Sequence, residues 1–148
     1  MEQNDCVLDG KSLTLRAIED FIATPARTTS FSAESDKAVR RAHRFLCQEM
    51  NEKILYGVNT GFGPMASHII GGREMQSLQC NLVRSHAVGI GEPIHPDFVL
   101  ASMLVRLNTL VKGYSGVSPQ LIERHNLFIN RRIIPIVPAH GAVGTSGD

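Results

Sequence analysis

The stretch bracketed by Pro96 and Gly113 leaves this chain few architectures. Pro96 stands where a helix can start, since its missing N–H is unneeded there, and Gly113 stands just past the end. Between them, residues 98–111 are apolar on most faces, which makes roughly 25 Å of largely buried helix. A helix with almost no wet side needs neighbours all round, so the pattern suits the helical core of an oligomer better than a lone domain. Arg106 and Asn108 interrupt the run and must find partners or an interface.

The remaining segments read as helices of ordinary amphipathicity. Residues 1–13 form an irregular lead-in. Thr14 caps a short helix with Leu15, Ile18, Phe21 and Ile22 at helical spacing, and Pro25 with the Thr28-Thr29-Ser30 cluster breaks it. From Ser32 to about Lys53, residues Ala38, Val39, Ala42, Phe45, Leu46 and Met50 share one stripe, with charges opposite and His43 on the solvated side. A third helix runs from about Glu74 to Val88 with Met75, Leu78, Leu82 and Val83 inward and Gly89 as its stop. His86, four residues past Leu82, falls on the buried stripe, where a satisfied core histidine is the ordinary reading. Ser118 and Pro119 open a last helix with Leu121, Ile122, Phe128 and Ile129 inward. Residues 133–138 contain two prolines, make a poor central strand, and read as a rigid approach to the loop at Gly141. The fold class is therefore mainly α, a single portion over residues 1–148, with 1–50 as lead-in helices. No internal repeat appears.

Composition removes several function classes. With 15 basic and 14 acidic residues the formal charge is +1, and no basic run exceeds two residues, so nucleic-acid binding has no electrostatic support. Cys6, Cys47 and Cys80 show neither paired spacing nor a metal motif, as idle thiols of a reducing cytosol do. The polar start carries no signal-like apolar stretch, and no apolar run approaches the roughly 20 residues of a spanning helix. The expected setting is cytoplasmic, with no nucleic acid, membrane or metal partner.

Two loops carry the chemistry. Tyr56-Gly57-Val58-Asn59-Thr60-Gly61-Phe62-Gly63 is too broken for helix or strand, and it lacks the Gly-x-Gly-x-x-Gly or Gly-Lys-Ser/Thr of a phosphate cradle. Taken alone, Tyr56 reads as a core tyrosine. The second loop is Gly141-Ala142-Val143-Gly144-Thr145-Ser146-Gly147-Asp148. It fails as a nucleophile elbow because Asp148 replaces the final glycine. Its glycines let the backbone fold tightly. Attack of the Gly147 nitrogen on the Thr145 carbonyl, with loss of water, would close a five-membered imidazolone. Loss of the Ser146 hydroxyl as a second water would leave an exocyclic methylidene, a strong electrophile. Clusters of Gly, Ser and Thr are nevertheless ordinarily plain loops.

That ending resembles the signature of the aromatic amino acid ammonia-lyase and aminomutase family, whose Ala-Ser-Gly or Thr-Ser-Gly triad cyclises to 4-methylidene-imidazol-5-one. Residues 56–63 resemble its tyrosine loop, and Asn81-Leu82-Val83-Arg84-Ser85-His86-Ala87 and Lys112-Gly113-Tyr114-Ser115-Gly116 also match it. The four matches run in the family's order from about residue 53 onward, and the first 50 residues match loosely. The resemblance implies a helix-bundle lyase of which this chain is the N-terminal portion. It also implies an electrophile made from Thr145, Ser146 and Gly147 with no external cofactor or metal, and a homotetramer whose sites draw on several subunits, so that 148 residues alone would be inactive. Tyr56 becomes the base that removes the substrate β-proton. A free tyrosine ionises near pH 10, so the site would have to stabilise tyrosinate. Ser85 and His86 match the pair that faces the substrate ring, polar as in the histidine and tyrosine enzymes. Gly63 matches a position lining the site, Asn59 joins it and orders the tyrosine loop, and Asp148 holds the prosthetic loop. The implied reaction eliminates ammonia from L-histidine or L-tyrosine, giving urocanate or p-coumarate. The alternatives are a 2,3-aminomutase, a ring-independent betaine lyase, and an inactive assembly fragment.

Overall fold

A computed structural model of the chain describes residues 5–65 and 67–141. In chain order these form β1 (Asp5–Leu8), α1 (Leu15–Ala23), β2 (Thr28–Phe31), α2 (Ala33–Glu52), a single 3-10 turn (Gly63–Met65), α3 (Gly72–His86), β3 (Ile90–Pro93), α4 (Pro96–Leu110), α5 (Pro119–Asn130) and β4 (Pro138–His140). The fold is mainly α, as the periodicities require. It divides into two compact units, one of Met1–Leu46 with Ile94–Ile136 and the other of Cys47–Pro93 with Val137–Asp148. No helix among the described residues is long and apolar enough to cross a membrane.

The first unit holds the core, where Leu8, Phe21, Leu104, Leu107 and Ile129 are fully enclosed together with Leu100, Val111 and Ile122. α1 begins where its cap predicts, with the Ala17 N–H donating to Thr14 Oγ1 at 3.2 Å. Its start and end are flanked by strands that the sequence pattern did not announce. Part of the lead-in forms β1, and the Thr28-Thr29-Ser30 cluster, read above as a breaker, opens β2, which pairs parallel to β1 with Cys6 opposite Thr29. Four-residue strands carry too few alternations to register as a period, although Cys6 and Leu8 alternate inward. The far edge of β2 is taken by α5. Asn130 Oδ1 accepts the Thr29 N–H at 2.8 Å, and Asn130 Nδ2 donates to the Thr29 carbonyl at 3.0 Å. One amide side chain thus stands in for a neighbouring strand.

α4 corrects the expectation of all-round burial. Val99, Leu100, Leu104 and Leu107 are buried, whereas Phe98 and Val105 are 71% and 49% exposed, because α1 and α5 pack on part of its circumference. Asn108 does find a partner, accepting the Gly10 N–H at 2.9 Å, and Arg106 reaches solvent. In α5, Ile122 and Ile129 point inward as expected, but Leu121 and Phe128 do not. Those two border an apolar cavity of about 360 Å³ with Met103, His125, Ile133 and Ile134. In α2, Val39 is buried and Phe45 is exposed. His43 is not left on a solvated face: it is half-buried, with Nδ1 2.9 Å from the Gly116 carbonyl.

Within the second unit, α3 buries none of its described residues, and Val83 is 71% exposed. His86 is therefore exposed rather than on a buried stripe. The helix stops before Gly89, at Ala87, whose N–H returns to the Val83 carbonyl at 3.1 Å. Residues 133–137 belong to no helix or strand, but Pro138 opens β4, which runs antiparallel to β3 with Pro93 opposite Pro138. Two prolines facing each other leave no donors to waste, and the register is irregular between Ile90 and Pro93. β4 carries the chain to Gly141.

Candidate active site

The tyrosine loop is fastened to the end of α2. The last carbonyls of a helix have no intrahelical donor, and here the Asn59 amide supplies one. Asn59 Nδ2 donates to the carbonyls of Met50 and Lys53 at 2.9 and 2.7 Å, and Asn59 Oδ1 accepts the Leu55 N–H at 2.7 Å. Thr60, 1% exposed, curls the loop: its Oγ1 accepts the Gly57 N–H at 3.2 Å and donates to the Gly61 carbonyl at 2.8 Å. Across the loop the Ile70 and Gly61 N–H groups donate to the Asn59 and His68 carbonyls at 3.0 and 3.1 Å, forming a small antiparallel clasp.

This frame brings Tyr56 and Gly63 together. The Gly63 N–H donates to the Tyr56 hydroxyl oxygen at 3.2 Å, and Phe62 meets the Tyr56 ring edge-on, 6.1 Å between centroids. The turn needs left-handed backbone at Gly57 and Gly63, with φ of 74° and 54°. Tyr56 is 65% exposed, so it is not the core tyrosine that its position alone suggests. Its hydroxyl oxygen is thus accessible and held by a backbone donor.

Ser85 and His86 form a second cluster at the end of α3. Ser85 Oγ donates to the Leu82 carbonyl at 2.8 Å, and His86 Nδ1 lies 2.8 Å from the same oxygen and 3.1 Å from Ser85 Oγ. A carbonyl can only accept, so Nδ1 carries a proton. Thr145, Ser146, Gly147 and Asp148 lie outside the described residues. Among the described residues no three His, Cys, Asp or Glu side chains gather as a metal site would.

All the amide hydrogens of Asn59 are engaged by backbone carbonyls and it is 8% exposed, so it caps the end of α2 and orders the tyrosine loop. Thr60 was passed over in the sequence; the signal was a hydroxyl placed between two glycines that need holding. In the other unit, His125 was also unremarked. Its Nε2 is buried with no hydrogen-bond partner among the described residues, and burial pushes its pKa below the usual histidine value, against a smaller opposing pull from the Met103 backbone.

Residues 13–148 match the family described as aromatic amino acid lyase. The chain is 41% identical over 143 residues to the histidine ammonia-lyase of Macrococcus caseolyticus, covering 96% of this chain and 28% of that protein. Among solved structures, it superposes on tyrosine aminomutase from Streptomyces globisporus with a TM-score of 0.83 at 34% identity, over 93% of this chain and 26% of that one. The corresponding figures for histidine ammonia-lyase from Trypanosoma cruzi are 0.83 and 29%, over 93% and 27%. The chain thus spans little more than a quarter of the length of these relatives. A match over residues 13–148, together with a tyrosine held by a backbone donor on a doubly anchored loop, places the chain in the aromatic amino acid lyase family.

Proposed function

We propose that this chain is the N-terminal portion of a cytoplasmic, homotetrameric ammonia-lyase that eliminates ammonia from L-histidine, giving urocanate. L-Tyrosine, giving p-coumarate, is the other substrate that a polar Ser85-His86 pair suits. The observation that carries this reading is the Gly63 N–H directed at an exposed Tyr56 hydroxyl, because it fixes an accessible phenolic oxygen in place for proton transfer. Likeness to histidine ammonia-lyases supports the choice of substrate.

The prosthetic group that Thr145, Ser146 and Gly147 would form supplies an electrophile for the substrate amine and so a better leaving group. Tyr56 accepts the β-proton at its phenolic oxygen, which the Gly63 N–H holds in place. Ser85 and His86, joined through the Leu82 carbonyl, offer the substrate's imidazole or phenol a polar pair at the end of α3. A substrate ring with no polar group would leave that pair unmatched and be disfavoured.

Likeness to a tyrosine aminomutase supports a second reading, in which the amine returns to the β-carbon. Identifying the product from L-histidine, L-tyrosine and L-phenylalanine by mass and ultraviolet spectrum, using the full-length enzyme, separates the two. Urocanate with ammonia is expected. A β-amino acid would establish the aminomutase, and no product from any of the three would refute both.

A further inference from the structure

We infer that Asn59 and Thr60 are positioning residues for Tyr56, setting the separation between the Tyr56 hydroxyl and the Gly63 N–H. This rests on the reading of Tyr56 as the proton acceptor.

The loop has two degrees of freedom that matter. One is where it leaves α2. The Asn59 amide bonds two carbonyls at the helix end, Met50 and Lys53, and the N–H of Leu55, the residue before Tyr56. That fixes the point of departure. The other is how tightly the loop closes between Tyr56 and Gly63. Thr60 Oγ1 joins the N–H of Gly57, directly after Tyr56, to the carbonyl of Gly61, two residues before Gly63. One hydroxyl therefore ties together the backbone on either side of the Tyr56–Gly63 contact. Both side chains are buried, and every bond just named goes to backbone. Neither is disposed to touch substrate, so their influence on the reaction runs through Tyr56.

The decisive variants separate the hydroxyl from its bulk. Thr60→Val keeps the shape and removes both hydrogen bonds, while Thr60→Ser keeps the bonds and removes a methyl. In the full-length enzyme with L-histidine, Thr60→Val is expected to lower kcat by about 10- to 100-fold with KM changed less than about threefold, since small misplacements of a reacting group cost that much. Thr60→Ser is expected to stay within about threefold of the parent. Thr60→Ala, which drops the same hydroxyl without branched bulk, keeps the comparison available if the valine variant does not fold, and thermal melts identify that case. Asn59→Asp retains the acceptor, loses both donors and sets a carboxylate against two carbonyls; it should share the kcat loss. Full activity in folded Thr60→Val or Thr60→Ala would overturn the proposal, as would a KM rise at unchanged kcat, which would return the pair to substrate binding. Tyr56→Phe run in parallel keeps the two readings apart. An active Tyr56→Phe enzyme refutes the base itself, whereas an inactive one beside an unaffected Thr60→Val refutes only the positioning.

Discussion

Gly61→Ala tests how finely the tyrosine loop is set. Gly61 is buried, and a Cβ there would lie 2.6 Å from Met65 Cβ and 2.7 Å from the Met65 carbonyl oxygen, where ordinary contact begins at 3.4 Å. The two segments must part by about 0.8 Å. Rotating a side chain cannot relieve this, because the opposing atoms sit on or beside the backbone. Met65 is itself tethered, its N–H to the Phe62 carbonyl and its carbonyl to the His68 N–H, both at 3.0 Å. Gly63 lies between the displaced points, and its N–H already reaches Tyr56 at 3.2 Å. A further shift of this size carries that bond past hydrogen-bonding range. Small misplacements of a reacting group are costly, so kcat should fall roughly 10- to 100-fold. Overpacking should cost about 1–3 kcal/mol of stability. The assay is initial rates of urocanate formation from L-histidine, resolved into kcat and KM, beside a far-ultraviolet circular dichroism melt. Gly72→Ala is the control, since a Cβ there meets nothing within 4 Å. A folded Gly61→Ala enzyme with kcat within about threefold of the parent would refute the reasoning.

Two further predictions concern the first unit. Asn130→Ala strands the N–H and carbonyl of Thr29, which is 3% exposed; about 2–4 kcal/mol of stability should be lost, read as a drop in Tm of about 10 °C, and a loss below about 1 kcal/mol would remove the strand-substitute role. His125 should make stability fall on acidification. Its folded pKa is depressed by burial, so the unfolded chain binds the proton first; the contribution is present above the unfolded value near 6.5 and lost as pH falls through the folded one. The Tm decline from about pH 7.5 to about pH 5 should therefore be shallower in His125→Leu than in the parent, and an identical slope would refute this.

Caps and breakers made the helices legible. Thr14, Ser118 and Pro119 each stand where the structure uses them, because a cap acts through its own immediate neighbours and its evidence lies within a few residues of chain. The strands were not legible for the opposite reason. β1 pairs with β2 across more than twenty residues and β3 with β4 across more than forty, and no four-residue window contains its partner. The Asn130 amide that finishes the sheet edge is about a hundred residues from Thr29. Within the candidate site, the motifs named the candidate side chains. The donor to the Tyr56 hydroxyl was not legible, since it is a backbone N–H, and the letter Gly63 announces a permitted conformation rather than a hydrogen bond.

The errors over burial have a single physical source. An apolar stripe records that a surface is covered in the working protein; it does not record what covers it. Met75, Leu78, Leu82 and Val83 on α3, and Phe98 and Val105 on α4, satisfy the helical period as well as Leu104 or Leu107 does, yet only the latter pair is enclosed by these 148 residues. A stripe that packs within one unit and one that packs on some other surface are identical in sequence. Leaving α3 bare would be unfavourable in water at about 25 cal/mol for each Å² of apolar surface exposed. The relatives are several times longer than this chain. That a helix with no buried residue still ends in an ordered Leu82–Ser85–His86 hydrogen-bond cluster follows from the same distinction: bonds between residues three and four apart fix the shape of a helix end without any packing against it.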